Sequence, residues 1–108
     1  NSLTREVYWK KEPIDINWLH EAKWSFMWEL AKHAKTGLPI DSTVFGERKS
    51  VDYVSKTKSE LTNLNGFPIE LADAIKVVGT GTQQLKIEAS EIRLFEPHVG
   101  GDIREWTP

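Results

Sequence analysis

The chain contains no cysteine, which excludes disulfides, thiolate nucleophiles and zinc–thiolate sites. That agrees with a reducing compartment, so the sequence reads as intracellular, cytoplasmic or nuclear. No apolar run approaches the ~20 residues that a membrane-spanning helix requires, and no membrane is expected as a partner. Neither sign of charge dominates: fourteen basic residues stand against sixteen acidic ones, a formal net charge of −2. A globally basic footprint is therefore missing, and any binding to nucleic acid has to come from a local patch. Catalytic patterns are missing as well. His20 and His33 lie thirteen residues apart on one expected helix, more than three turns, so they cannot chelate one metal. His98 and Asp102 share a glycine-containing loop without a nucleophile motif beside them. Gly79-Thr80-Gly81-Thr82 joins two expected strands, whereas a phosphate-binding loop opens a helix. No enzymatic activity, cofactor or metal is expected.

What the sequence has in quantity is tryptophan. Trp9, Trp18, Trp24 and Trp28 fall in the first quarter of the chain and Trp106 near its end. Two readings stay open: a bulky core with snorkelling edges, or a protein contact surface, since tryptophan is enriched among interface anchors. The length of 108 residues suits one domain with one core. Because the row opens on Asn1 rather than Met, the chain is read as a domain cut from a longer protein, with Asn1-Ser2 outside the fold.

Arg5–Trp9 reads as a short strand. Asp15 or Asn17 can cap a helix whose apolar positions Leu19, Ala22, Phe26, Leu30 and Ala34 recur at helical spacing. Gly37 and Pro39 stop it. Trp24 and Trp28 stand i,i+4 on another side, flanked by Met27 and Ala31. The helix is thus apolar over more than one stripe and must be covered twice, by its own domain and by either the terminal strand or another chain. Asp41 or Ser42 caps a one-turn helix over Thr43–Gly46. A second long helix is expected over Lys49–Asn65, with Val51, Val54, Leu61 and Leu64 inward and Asp52, Ser55, Lys56, Ser59 and Asn63 outward. Beyond Pro68 the period becomes two: Ile75–Val77 and Leu85–Glu88 flank Gly79-Thr80-Gly81, a β-hairpin signature. Glu91–Phe95 reads as a further strand. Residues 3–97 are taken as the domain and 98–108 as a tail or flap.

The expected order is strand, long helix, one-turn helix, long helix, hairpin, within the α+β class. That is the plan of a winged helix, in which the last helix reads a DNA groove and the hairpin is the wing. The stretch Gly46–Leu61 resembles the recognition helix of response-regulator effector domains of the OmpR/PhoB type. Ile75–Thr82 resembles that family's wing, and the resemblance spans roughly Phe26 to Ile87. The chain departs from the family in carrying only Lys56 and Lys58 in the helix body, Thr57-Lys58 where a large aliphatic side chain is usual, and Gln83-Gln84 after the wing glycines.

The resemblance implies double-stranded DNA as partner and places Lys49, Lys56, Ser59 and Asn63 on the groove side, with Lys58 of the same helix a further DNA-binding candidate. It puts Arg48 on a phosphate at the helix start and Thr80 and Thr82 at the wing tip. Between Arg48 and Lys58 the local net charge is +3, opposite in sign to the whole. A transcription-regulating or DNA-processing module of a larger protein is the leading expectation. The alternative is a protein-interaction or dimerisation domain anchored by Trp9, Trp24 and Trp28, with no nucleic acid involved.

Overall fold

The computed structural model describes residues 2–46 and 49–108. Its architecture is α+β: among the described residues there are three α-helices and three two-stranded antiparallel hairpins. The helix α1, Glu21–Ala34, forms where the apolar spacing predicts it. It buries Phe26, Leu30 and Ala34 on one side and Trp24 and Met27 on the next. Glycine ends it: Gly37 sits at φ +72°, and the amides of Gly37 and Leu38 return to the carbonyls of Ala34 and His33. The start differs from the expectation. His20 precedes the first turn, while Asn17 accepts the amide of Leu19 in a turn ahead of the helix.

The second side of α1 is covered from within the chain. The expected strand at Arg5–Trp9 contracts to β1, Tyr8–Trp9, paired with β2, Glu12–Pro13, in the register Tyr8↔Pro13 and Trp9↔Glu12. Lys10 and Lys11 form the turn at φ +51° and +69°, left-handed values costing a non-glycine residue about 1 kcal/mol each. Asn-Gly is the usual occupant of such a turn. Contacts offset the strain at Lys10, whose ammonium pairs with Glu70 and lies 5.6 Å from the Trp9 ring centre. The chain then runs back through the buried Ile14 and Trp18.

Asp41, rather than Ser42, caps the one-turn 3₁₀ helix Ser42–Phe45 by accepting from the Thr43 amide at 3.0 Å. The Thr43 hydroxyl and amide hold the Asp41 carboxyl below the ordinary carboxylate range. A carboxylate whose folded pKa is depressed adds stability above its unfolded pKa of about 3.9, and that stability is lost as pH falls through the folded value. Asp41→Ala is therefore expected to cost up to about 1 kcal/mol at neutral pH and almost nothing once Asp41 is protonated. Urea denaturation at pH 7 and at pH 2.5 (about one unit below that unfolded value) checks it; an equal loss at both would remove the cap.

The second long helix is shorter than expected. It is α2, Tyr53–Thr62; Val54, Thr57 and Leu61 face inward, whereas Val51 lies outside the helix and is 66% exposed. A third helix, α3, Ile69–Ala74, was not expected. Pro68 precedes its first residue, a position where the missing amide costs nothing, and Leu71 anchors it to the core. It runs directly into β3, Ile75–Gly79, which pairs with β4, Thr82–Leu85, with a bulge between Val77 and Gly79. Ile40 bridges to Gln83 on the other edge of β4. The hairpin therefore follows α3 and not α2, which departs from the order that the family resemblance implies. The strand expected at Glu91–Phe95 lies instead at β5, Phe95–Pro97, paired with β6, Ile103–Glu105. The tail is thus built into a hairpin. Its Trp106 amide donates to Leu94, and its ring lies 5.3 Å below the Lys32 ammonium on α1.

Candidate nucleic-acid interface

With Val54, Thr57 and Leu61 buried on one side of α2, helical geometry leaves Ser55, Lys56, Ser59 and Asn63 on the other, and all four are exposed. The face expected to be polar and outward is polar and outward. Lys58 is half-buried at its margin, and its carbonyl accepts the Thr62 hydroxyl at 2.8 Å. Asn63 donates from Nδ2 to the Ser59 hydroxyl at 3.3 Å, so these two side chains are linked at the end of the helix. Lys56 and Lys58 form no ion pair among the described residues.

The β3–β4 hairpin is seated against the start of this helix. At Gly81, φ +68°, a Cβ would stand 2.5 Å from the Val51 carbonyl oxygen, so the tip and the segment leading into α2 touch backbone to backbone. Behind the tip, Gln83 is 2% exposed; its Nε2 donates to the Ser55 hydroxyl at 3.3 Å, and its Oε1 has no partner. Thr80 is exposed and Thr82 half-buried, the Thr82 hydroxyl donating to the Thr80 carbonyl at 3.3 Å. Lys49 precedes α2 with its ammonium 4.8 Å from the Tyr53 ring centre. Tyr53 leans on Phe45, and Phe45 on the buried Phe26. The structure thus brings the segment before α2, the α2 face and the β3–β4 hairpin tip together, whereas Arg48 lies outside the described residues.

Acidic groups bound this surface. Asp52 takes the Ser50 hydroxyl, and that bond above all holds its carboxyl below the usual range, with Lys56 contributing. Glu60 is exposed on the flank of α2, and Glu70 and Asp73 are exposed on α3. Of the helix that leads into the hairpin, Glu70 is paired with Lys10 and Asp73 presents an exposed carboxylate, which repels phosphate.

The tryptophans go mostly inward. Trp24, expected as an interface anchor, is 8% exposed, meets Trp18 edge-on at 6.4 Å and stacks on Trp28 at 5.7 Å. It is buried against the chain's own residues. The Trp18 indole N–H donates to the Ile14 carbonyl, and the Arg5 guanidinium lies 5.9 Å from the Trp24 ring centre. Trp28 and Trp9 remain half-buried. His98 and Asp102 are linked through the backbone only, and the Asp102 carboxylate instead takes Arg104 at 3.4 Å.

Two open clefts lie elsewhere, neither anticipated from sequence. One, of about 320 Å³, is bordered by Asp15, His20, Lys23 and Asn65. The other, of about 510 Å³, runs between the β1–β2 hairpin and the α2–α3 connection, its wall of Trp9, Pro13, Pro68 and Ile69 flanked by the charged Lys10, Glu12 and Glu70. Among the described residues no three His, Cys, Asp or Glu side chains are grouped to hold a metal ion, and no helix is long and apolar enough to cross a membrane. Compared with protein-family models, with curated proteins and with solved structures, the chain matches none.

Proposed function

We propose that the chain binds double-stranded DNA as a winged-helix module, with α2 laid in or along the major groove and the β3–β4 hairpin as the wing. The observation that carries this reading is the outward face of α2, made of short polar side chains and unpaired lysines, with a glycine-tipped hairpin seated at its N-terminal end. Ten residues of helix span about 15 Å, enough to cross a groove about 12 Å wide. Lys56 and Lys58 supply phosphate contacts; Ser59 and Asn63 supply donors and acceptors for base edges; Lys49, Thr80 and Thr82 hold the backbone at the wing side. Within the winged-helix plan the helix before the wing usually reads the groove. Here that helix, α3, has six residues and an exposed carboxylate at Asp73, which turns the role over to α2.

Lys56→Ala is expected to weaken binding to all duplexes alike and to reduce the slope of log affinity against log salt by about 1. A salt titration by fluorescence anisotropy reads both quantities. Absence of binding at low salt, or an unchanged slope, rejects the assignment.

Protein association is the second reading, favoured by the acidic margin and by the exposed Val51, Val77 and Val78 around the hairpin. Trp28 and Trp9 are the aromatic anchors left to it. Light scattering after size exclusion decides this reading: a chain that stays monomeric at high concentration and recovers no partner counts against it.

A further inference from the structure

We infer that Asn65-Gly66, the turn that follows α2, is a site of self-modification, where the Asn65 amide is lost as ammonia and replaced by a carboxylate. The reaction is intramolecular. Solvent base removes the Gly66 amide proton, and the freed nitrogen attacks Cγ of Asn65. A bond forms between Cγ and that nitrogen, the Cγ–Nδ2 bond breaks, and Nδ2 leaves as ammonia after taking up a proton. The product is a five-membered imide. Water then opens the imide at either carbonyl. One opening leaves an aspartate at position 65; the other leaves an isoaspartyl link, in which the main chain runs through Cβ and Cγ. Only water is consumed.

The attacking nitrogen must be uncovered and must not be donating. Gly66 has no side chain to cover it, is exposed, and its N–H makes no hydrogen bond among the described residues. The side chain under attack must be free to turn. Asn65 is exposed, and its amide makes no hydrogen bond among the described residues. Asn17 and Asn63 fail on both counts. Asn17 accepts the Leu19 amide at 3.2 Å, and the amide after it, Trp18, donates to the Ile16 carbonyl at 2.9 Å. Asn63 donates to the Ser59 hydroxyl at 3.3 Å, and the Leu64 amide donates to the Leu61 carbonyl at 3.2 Å. Water must also reach the ring. Asn65 borders the open cleft of about 320 Å³ that Asp15, His20 and Lys23 share. The product is placed where it matters. A carboxylate at position 65 lies just beyond the C-terminal end of α2, where the helix dipole disfavours negative charge, and on a cleft that already holds Asp15. The isoaspartyl form also lengthens the main chain at a close junction, since a Cβ on Gly66 would stand 3.1 Å from the Asp15 carbonyl oxygen. The site does not depend on the duplex reading.

The test is to age the purified chain in neutral buffer and map its peptides by mass spectrometry, with enzymatic methylation to count isoaspartate. Position 65 is expected to lose its amide at least about tenfold faster than positions 17 and 63, a barrier lower by about 1.4 kcal/mol. Asn65→Gln is expected to keep its amide, because its ring would need six members. It is also expected to melt with the wild type, since the position is exposed and unbonded. Loss at position 65 no faster than at 17 and 63 overturns the proposal. So does an Asn65 that stays intact in the folded chain while the urea-unfolded chain loses its amide there. Amide loss at position 65 in a chain that binds no duplex leaves this site standing and the duplex reading rejected.

Discussion

Trp24→Ala is expected to destabilise the folded chain by about 3–5 kcal/mol, the usual cost of emptying a buried aromatic site. A domain of this size has only about 5–15 kcal/mol in hand, so the variant is expected to be partly unfolded near body temperature. The reason is local. Trp24 is 8% exposed, bounded by Trp18 on one side and Trp28 on the other, with the Arg5 guanidinium over its ring. Arg5 also donates to the carbonyls of Trp18 and Leu19 and to Glu21. Truncating Trp24 therefore opens a cavity and removes the surface on which the N-terminal segment is fastened. Trp28→Ala, at a half-buried position, is expected to cost less than half as much. Chemical denaturation of both variants separates the two roles of tryptophan. If Trp24 were an anchor for another protein, its loss would leave the monomer's midpoint unchanged and alter only association.

The same residue shows where sequence reading succeeds and where it stops. The 3.6-residue spacing of Phe26, Leu30 and Ala34 places α1, and Gly37 marks its end. The width of its apolar surface correctly demands a second cover. Periodicity cannot say what supplies that cover, because a partner chain and a returning segment of the same chain impose the same pattern. Here Ile14 to Trp18 return and supply it. Other misses share a cause. The turn at Lys10-Lys11 lacks the residues that signal turns. The helix α3 has six residues, too few to display a period, and begins at a proline that reads equally well as a loop. The hairpin β5–β6 closes through Pro97, a residue that argues against a strand. On the candidate interface, the outward set on α2 was legible because a helical wheel needs only the helix. Its link to the β3–β4 hairpin, through Gln83 and Ser55 and through Gly81 against Val51, is tertiary and leaves no mark in local sequence.

That link sets up the second large effect. Gly81→Ala is expected to cost about 2–3 kcal/mol, from a left-handed backbone that alanine resists together with a clash it cannot relieve by side-chain motion. The added Cβ would lie 2.5 Å from the Val51 carbonyl oxygen and 3.1 Å from Val51 Cγ2, and the first of these is backbone. Either the tip lifts away from the segment entering α2 or that segment shifts, and both unseat the hairpin tip from Val51. Gly79→Ala, two residues earlier in the same tip, is the matched control. Its Cβ would meet only Thr82, at 3.6 Å, an ordinary contact, and its expected cost is within about 0.5 kcal/mol. The two variants thus differ in whether the hairpin stays seated, while charge and hydrophobicity are the same. Urea midpoints give the stability difference, and a duplex titration under conditions where both variants remain folded gives its consequence. Binding retained by Gly79→Ala and lost by Gly81→Ala ties recognition to the seating of the hairpin on α2. Equal binding by both confines Gly81 to a role in stability and leaves the α2 face to act without the hairpin.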